Sequence, residues 1–490
     1  MLFERITPPA APDPDRTTPS GPGPRVLYVT PELADYAKAG GLGEVAAALP
    51  RALQSFCDVR ILIPGYRPVL EKHRFIPVIS ELPPVNGIPG AKLGRLQTPD
   101  GLTIYVVLNS SLYDRGGSPY CDSHGQDWPD NDIRFGRLSA AAADLAAGIA
   151  DPDWKPDHLH LNDWPTALAA GYVAWRRLNV PTLLTVHNLA YHGVFSPSRL
   201  EALGIPWEAF RMDGVEFYGQ WSFLKAGLYY ASQITTVSST YAEEITRPEH
   251  GHGLDGLLKL RSAQGRLSGI LNGIDESWDP TLEAQSGRFD LSRWKSRNAA
   301  QVRRDFGLAV SRGPLFAIVS RLVRQKGTDL AIEAADAIVR NGGQLVVTGR
   351  GESDFEHAIA DLGARYPGAV GVRIGFDDHE ARRVFAGSDF LLMPSRFEPC
   401  GLAQMYAQKC GSLPIAHKTG GLAETVADGL TGFLFEDYSL RGLVEAIGRG
   451  LATYRSTRKI GQMRRSAMSQ AFSWTDSALQ YSMLYRAGVA

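Results

Sequence analysis

Three cations stand close together after an apolar run in this sequence. Arg321, Arg324 and Lys326 lie in the segment SRLVRQKG, which follows the run LFAIV and contains no acidic residue. A planar guanidinium and a compact ammonium suit the oxygens of a diphosphate. We therefore predict that Arg321 and Lys326 bind phosphate groups and that Arg324 is a solvated surface residue.

Two glycine-rich loops nearly repeat each other in distant parts of the chain. They read KAGGLGE at 38–44 and KTGGLAE at 418–424. Paired glycines let backbone N–H groups approach an anion, and a helix that follows adds partial positive charge. The spacing matches neither G-x-G-x-x-G nor a P-loop. One such loop is as easily an ordinary turn before a helix, but the near repetition favours a ligand held between two domains.

A single carboxylate follows another apolar run. Glu398 lies in the segment RFEPCGL, after DFLLMPS. Pro399 suits the first turn of a helix, which predicts that Glu398 lies just before a helix N-terminus at the mouth of the cleft. There it binds sugar hydroxyls or faces developing positive charge, unless it is only a helix cap. Cys400 is predicted to be a packed residue and not a nucleophile.

Polar and aromatic residues follow two further predicted strands. The segments are HLNDW at 160–164 and HNLAYHG at 187–193. Their His, Asn and Asp side chains suit carbohydrate hydroxyls, and Trp and Tyr can stack on sugar rings. Metal-binding spacing such as H-E-x-x-H does not occur, and no D-x-D string directly ends an apolar strand. We expect no metal, so Arg321 and Lys326 must carry the charge of the leaving group.

Composition limits the classes of protein to consider. The 490 residues are 44% hydrophobic and 21% charged, with a formal net charge of −1. This predicts a globular protein, and no excess charge attracts nucleic acid or anionic lipid. No apolar run is long enough to span a bilayer, so neither a membrane nor a nucleic acid is an expected partner. The four cysteines are scattered, and we expect a cytoplasmic location.

The order of predicted elements indicates two doubly wound α/β domains. Short apolar strands alternate with helices from residue 25 onward, and the rhythm restarts near 315 with runs that suit strands buried on both faces. Ligands bind at the carboxyl ends of such strands. We predict a Pro-rich disordered tail (1–24), an N-terminal Rossmann-like domain (25–275), a C-terminal Rossmann-like domain (276–474) and a last helix (475–490) that packs back on the first domain.

In combination, these motifs resemble the bacterial glycogen synthases and plant starch synthases. The resemblance covers nearly everything from about residue 25 to the end. The motifs are K-x-G-G-L-G near the start, D-N-x-x-R-F at 130–135, N-D-W-x-T-A-L at 162–168, T-V-H-N-L-A-Y at 185–191, F-x-G-Q-x-S-F-L-K-A-G-L at 217–228, L-N-G-I-D at 271–275, S-R-L-x-x-Q-K-G at 320–327, S-R-F-E-P-C-G-L at 395–402 and K-T-G-G-L at 418–422.

The resemblance implies a GT-B glycosyltransferase with a deep cleft between its two domains. Its implied reaction is the retaining, metal-independent transfer of glucose from ADP-glucose to the non-reducing end of an α-1,4-glucan such as glycogen, with release of ADP. The first domain would be the starch synthase catalytic domain on the acceptor side, and the second would bind the donor. No cofactor is expected, because ADP-glucose is a substrate.

The resemblance also implies roles for individual residues. Arg321 and Lys326 correspond to the pair that neutralises the diphosphate, and Glu398 to the carboxylate near the reacting sugar; these three are the predicted catalytic residues. The predicted substrate-binding residues are Lys38, Gly40, Gly41, Asp130, Asn131, Asn162, His187, Asn272, Gly349, Gly351, Thr419, Gly420 and Gly421.

Three departures from the bacterial pattern stand out. Asn162 occupies the position of the second His in H-x-H-D-W, Glu44 replaces an Asp, and the segment after Glu424 is short. The alternatives left open are another GT-B transferase that uses UDP-glucose or a different acceptor, a sugar-nucleotide epimerase, and a non-catalytic glucan-binding protein.

Overall fold

The computed structural model describes residues 23–282, 289–375 and 377–487. The predicted tail lies outside them except for its last two residues. The strands of the first domain are β1 (Arg25–Val29), β2 (Asp58–Pro64), β3 (Val78–Leu82), β4 (Ala91–Gln97), β5 (Thr103–Leu108), β6 (His158–Asn162), β7 (Thr182–Val186), β8 (Val194–Phe195), β9 (Glu216–Phe217), β10 (Gln220–Ser222), β11 (Gln233–Thr236) and β12 (Leu267–Gly269).

Helices flank these strands, and the chain then continues into a second α/β unit. The first-domain helices are α1 (Gly41–Leu53), α2 (Arg67–Lys72), α3 (Ser110–Tyr113), α4 (Asn131–Ala146), α5 (Trp164–Trp175), α6 (Phe223–Tyr230), α7 (Ser239–Glu244) and α8 (Asp255–Ala263). The later elements are α9 (Leu291–Asp305), β13 (Leu315–Val319), α10 (Thr328–Arg340), β14 (Gln344–Gly349), α11 (Ser353–Arg365), β15 (Val370–Ile374), α12 (Asp378–Gly387), β16 (Phe390–Met393), α13 (Ala403–Lys409), β17 (Leu413–His417), α14 (Gly420–Thr425), β18 (Phe433–Phe435), α15 (Leu440–Tyr454), α16 (Thr457–Met468) and α17 (Trp474–Ala487).

The first domain is built on a nine-stranded sheet. Its strand order is β12-β11-β7-β6-β1-β2-β5-β4-β3, with parallel pairing from β12 to β5 and antiparallel pairing at the β5-β4-β3 edge. The chain winds outward from β1 through β2 in one direction and through β6 in the other. The loops after β1 and β6 therefore diverge and leave a crevice at the carboxyl ends of these strands.

The second domain repeats this arrangement in a six-stranded parallel sheet. Its order is β15-β14-β13-β16-β17-β18, and every residue of the central strand β13 is buried, as expected for a strand covered on both faces. The winding reverses between β13 and β16, so a second crevice lies beyond these strands. The prediction of two doubly wound α/β sheets is confirmed.

Two local predictions need correction. A helix beginning at Pro399 was expected, but α13 begins at Ala403, because Gly401 adopts the left-handed φ of +71° and a helix cannot continue through it. The sequence pattern also missed the antiparallel strands β3 and β4. Residues of β4 alternate between buried and exposed, so they do not form the continuous apolar run by which the other strands were recognised.

The last helix, α17, packs into the core of the first domain. Ala478, Tyr481 and Tyr485 are buried there beside residues of β1 and β6. The Tyr485 hydroxyl lies 2.7 Å from His160 Nδ1, and His160 Nε2 lies 2.7 Å from Thr185 Oγ1. A fully buried imidazole thus has partners on both ring nitrogens, and α17 provides one of them. In the described residues, no helix is long and apolar enough to cross a membrane.

We expect Tyr485→Phe to lower the free energy of unfolding by about 1–3 kcal/mol, because it leaves a buried nitrogen of His160 without its partner. Urea unfolding followed by circular dichroism measures the change. Met483→Ala is the matched control, since Met483 is half-exposed on the same helix and its replacement should alter stability by less than about 0.5 kcal/mol. Equal losses in the two variants would contradict the assigned contact.

Candidate functional site

A partly buried ion pair lies at the crevice of the second domain. Lys326 ends a short 3₁₀ turn after β13, and its Nζ lies 2.8 Å from Oε1 and 2.6 Å from Oε2 of Glu398, which follows β16. Ser395 Oγ donates a third hydrogen bond to this carboxylate, at 3.0 Å. Only 4% of Glu398 is exposed. Two of the three predicted catalytic residues are therefore in direct contact.

Arg321 extends toward the first domain. It is exposed, and its Nη1 donates to the hydroxyl of Tyr191 at 3.1 Å. Tyr191 belongs to the segment after β7, so this hydrogen bond crosses between the two domains. Arg321 and Lys326 therefore begin from the same loop but make different contacts, one across the cleft and one within the second domain.

Most of the predicted glycines serve close backbone packing. A Cβ on Gly349 or Gly351 would lie 2.0 Å from the carbonyl oxygen of Ser320 or Leu322. A Cβ on Gly420 or Gly421 would lie 2.0–2.1 Å from the carbonyl oxygens of Glu398 and Cys400. These glycines hold neighbouring loops against those that carry Lys326 and Glu398, so any part in ligand binding stays a prediction.

The two K-x-G-G-L loops do not face each other directly. A Cβ placed on Gly41 would lie 3.8 Å from the side chain of Leu402. Gly420 and Gly421 instead pack against the backbone of Glu398 and Cys400, at the other end of the segment 398–402. The segment 398–402 thus lies between the loops. Gly40 has open space around its Cβ position, so among these glycines it best permits close approach of a ligand.

A residue that the sequence did not single out holds the first glycine loop. Glu32 follows β1, is 4% exposed, and accepts hydrogen bonds from the backbone N–H groups of Ala39 and Gly40 at 2.6 and 3.1 Å. Tyr120 donates its hydroxyl to the other carboxylate oxygen at 2.6 Å. The N–H group of Gly40, one of the paired glycines expected to face an anionic ligand, therefore binds a carboxylate of the protein. An acid shortly after the end of a strand was the available signal.

Lys38 bridges the two domains. Its Nζ lies 2.8 Å from Oε1 of Glu44 in the first turn of α1 and 3.0 Å from Oδ2 of Asp378 at the start of α12. Asp378 is another residue that the motif search missed, because it is 340 positions away along the chain. The charge of Lys38 is thus already matched by two solvent-accessible carboxylates at the mouth of the cleft, one from each domain.

Three predicted substrate residues are engaged in contacts of the protein itself. Asp130 forms a two-pronged ion pair with Arg115, with both distances at 2.7 Å. Asn131 is buried, donates to the carbonyl of Tyr120 and accepts from Arg134. Asn272 is buried beside Cys400. Their role in substrate binding stays a prediction.

The fully buried Asn162 and the partly exposed His187 form a hydrogen-bonded pair at the crevice of the first domain. The Asn162 amide donates to the carbonyl of Val29, so its Oδ1 is free to accept from His187 Nε2 at 3.0 Å. Burial lowers the pKa of His187 to about 3. The asparagine that departs from the bacterial pattern therefore orients a neutral histidine.

Helices α7 and α14 cap each other across the domain boundary. The Glu244 carboxylate at the end of α7 accepts from Thr419 Oγ1 and from Gly420 N, at 3.0 and 3.1 Å. In the opposite direction, the Glu424 carboxylate of α14 accepts from Thr240 N. Beside them lies an apolar cluster shared by both domains, which contains Val237, Ile274, Cys400, Met405 and Phe472.

Cys400 is a buried member of this cluster. Burial raises the pKa of its thiol to about 12, so it stays protonated and serves packing, as predicted. Within the described ranges, no group of three or more His, Cys, Asp or Glu side chains is arranged to hold a metal ion.

Comparisons with known proteins match both domains. The profile of the starch synthase catalytic domain matches residues 25–260, and that of the glycosyl transferases group 1 matches residues 303–466. The chain is 56% identical to glycogen synthase 1 of Bradyrhizobium diazoefficiens over 93% of its own length and 99% of the relative's. The chain belongs to the glycogen and starch synthase family. A glycogen synthase of Pseudomonas putida is 53% identical over 94% of this chain and 89% of the relative.

Solved structures agree with this family assignment. The catalytic domain of starch synthase IV from Arabidopsis thaliana, bound to ADP and acarbose, superimposes with a TM-score of 0.84 and 30% identity, over 95% of this chain and 99% of that one. A sucrose-phosphate synthase from Thermosynechococcus elongatus has a TM-score of 0.59 at 20% identity, over 95% and 98% of the two chains, and shows the fold alone. The GT-B fold and the glycosyltransferase class predicted for this synthase are confirmed.

The neutral state of His187 has a consequence for the pH dependence of stability. The unfolded chain takes up a proton near pH 6.5 and the folded protein only near pH 3. The contribution of His187 to the free energy of unfolding should therefore be fully present above about pH 6.5. Below that pH it should fall by about 1.4 kcal/mol per pH unit. Urea unfolding between pH 7.5 and 5 should show a shallower decline for His187→Gln than for the native protein.

Glutamine keeps an N–H donor for Asn162 but does not titrate, which isolates the effect. His357→Gln is the control, because His357 is exposed on α11 and is solvated in both states. Parallel pH curves for the native protein and His187→Gln would show that the buried imidazole does not titrate as described.

Proposed function

We propose that this enzyme is a glycogen synthase that transfers glucose from ADP-glucose to the non-reducing end of an α-1,4-glucan and releases ADP. The observation that carries the proposal is the ion pair of Lys326 with the buried Glu398 at the crevice of the donor domain, at 2.6 Å. The names of relatives more than 50% identical and the ADP and acarbose bound to the Arabidopsis neighbour support the nucleotide and the glucan.

The positions of the cations suggest how the leaving group is stabilised. Lys326 ends the turn after β13 and Arg321 begins the same loop, so a diphosphate at the carboxyl end of β13 would meet both. In the proposed reaction the bond between the anomeric carbon and the phosphate oxygen breaks and the sugar becomes oxocarbenium-like. Lys326 and Arg321 stabilise the negative charge that develops on the departing diphosphate.

The acceptor side completes the transfer. A glucan hydroxyl attacks the anomeric carbon from the face that the diphosphate leaves, which retains the configuration, and its proton passes to the released diphosphate. Glu398 is held near the reacting sugar by its hydrogen bonds with Lys326 and Ser395. There its negative charge stabilises the positive charge that develops on the sugar. Neither a metal nor another cofactor has a part in this scheme.

We also place the enzyme in the cytoplasm, where its substrates would be nucleotide sugar and glucan. In support, none of the four cysteines, Cys57, Cys121, Cys400 and Cys410, all within the described residues, forms a disulfide, as expected in a reducing compartment. Membranes and nucleic acids have no part in the proposed reaction.

A donor comparison tests the proposed substrate. With glycogen as acceptor, we expect nucleotide release from ADP-glucose at a higher kcat/KM than from UDP-glucose, with incorporation of glucose into the glucan. Preference for UDP-glucose would overturn the donor assignment. Conversion of the donor to an epimer without acceptor would favour an epimerase, and glycogen binding without turnover of either donor would favour a non-catalytic protein.

Lys326→Ala tests the role of the cation paired with Glu398. Loss of one charge-stabilising donor typically lowers kcat by about 10²- to 10³-fold, and we expect this loss with little change in glucan affinity. Arg324→Ala is the matched control, since Arg324 is an exposed cation two residues away and should retain native kcat. Circular dichroism establishes that both variants fold. An unchanged kcat in folded Lys326→Ala would refute the assignment.

A further inference from the structure

An exposed tyrosine occupies a strained position at the tip of a hairpin in the first domain. Strands β9 and β10 pair with Phe217 opposite Gln220, so their connection is the two-residue turn Tyr218-Gly219. The two φ angles are +50° and +78°, as in a type I′ turn. Asn-Gly is the preferred sequence for that turn, because a side chain such as Tyr is disfavoured at a left-handed φ.

Packing of the tyrosine does not compensate for this strain. The Tyr218 side chain is 79% exposed. Its ring contacts Phe217, with centroids 4.8 Å apart, and lies against Gly253, where an added Cβ would be 3.0 Å from the ring. The fold therefore exposes a large aromatic ring to water on a backbone conformation that is unfavourable for tyrosine. This combination indicates a function other than stability.

The ring is continuous with the cleft through a row of aromatic contacts. From Tyr218 the row passes through Phe217, His192 and His252 to Phe397, with successive centroids 4.8, 4.9, 6.2 and 5.6 Å apart. Phe397 directly precedes Glu398. The row therefore leads from the predicted catalytic carboxylate to an exposed aromatic ring on the surface.

The chemistry of this row suits an uncharged carbohydrate chain. Aromatic faces pack against the apolar faces of sugar rings, and a tyrosine has a hydroxyl that can bond to sugar hydroxyls. Burial lowers the pKa of both His192 and His252, so these imidazoles are neutral near pH 7. His252, the ring next to Phe397 in the row, is also a non-glycine residue with a positive φ, at +49°.

We propose that Tyr218 is a stacking platform for the α-glucan acceptor outside the cleft, reached along the aromatic row from Phe397. The proposal rests on the proposed function, because it takes the acceptor to be a glucan. It predicts that long acceptors, which extend from the cleft to the hairpin tip, gain affinity from Tyr218, whereas acceptors too short to reach it do not.

The test uses two substitutions with opposite effects on the ring. Tyr218→Asn installs the residue that the turn prefers and removes the ring; Tyr218→Phe keeps the ring. For Tyr218→Asn we expect KM for glycogen and long malto-oligosaccharides to rise about 3- to 10-fold. KM for maltotriose and ADP-glucose, and kcat, should stay native. Tyr218→Phe, which loses only the hydroxyl, should retain most of the native affinity for long acceptors, and Phe75→Ala, which removes an exposed aromatic ring elsewhere (81% exposed), should behave like the native enzyme.

A binding measurement separates this proposal from the enzymatic one. In native gels containing glycogen without donor, Tyr218→Asn should be retarded less than the native protein. Native KM and native retardation in folded Tyr218→Asn would overturn the platform, as would equal losses in Tyr218→Phe or Phe75→Ala. A change of oligomeric state in Tyr218→Asn with unchanged glucan binding would assign the ring to a contact between copies instead. Failure of the native protein to turn over any donor would overturn only the proposed function.

Discussion

Burial of Glu398 is the constraint around which the second domain's loops are arranged. An ionised carboxylate removed from water needs a cation and further hydrogen bonds, and Lys326 and Ser395 provide them. Because Lys326 follows β13 and Glu398 follows β16, their ion pair joins the two loops that diverge where the sheet changes direction. The same contact that satisfies a buried charge thus fixes the walls of the crevice.

The glycines and the first domain are arranged around this pair. Gly420 and Gly421 let a neighbouring loop approach the backbone of residues 398–400 closely enough that no side chain would fit. On the opposite side, Glu32 fixes the loop of Lys38 through two backbone N–H groups. Both crevices are therefore lined by loops whose backbone is held by buried carboxylates or by glycine contacts, and a polar ligand would meet a largely preformed site.

Strands and motif residues could be predicted from the sequence because their signals are local. Runs such as LFAIV are apolar throughout, and they form buried parallel strands where predicted. The partners of the motif residues could not be predicted in this way. Asp378 contacts Lys38, and Glu244 contacts Thr419, from 340 and 175 positions away. Neither acid belongs to a motif, so only the folded structure brings them to the site.

Two kinds of contact join the domains, and they differ in what they lose when water enters between them. Around the cleft the contacts are polar, such as the ion pair of Lys38 with Asp378 and the hydrogen bonds by which α7 and α14 cap each other. Water can satisfy each of these groups when they separate. The cluster of Val237, Cys400 and Met405 instead loses its burial when opened. Relative motion of the domains is therefore easiest as a rotation that keeps this apolar cluster closed and widens the cleft.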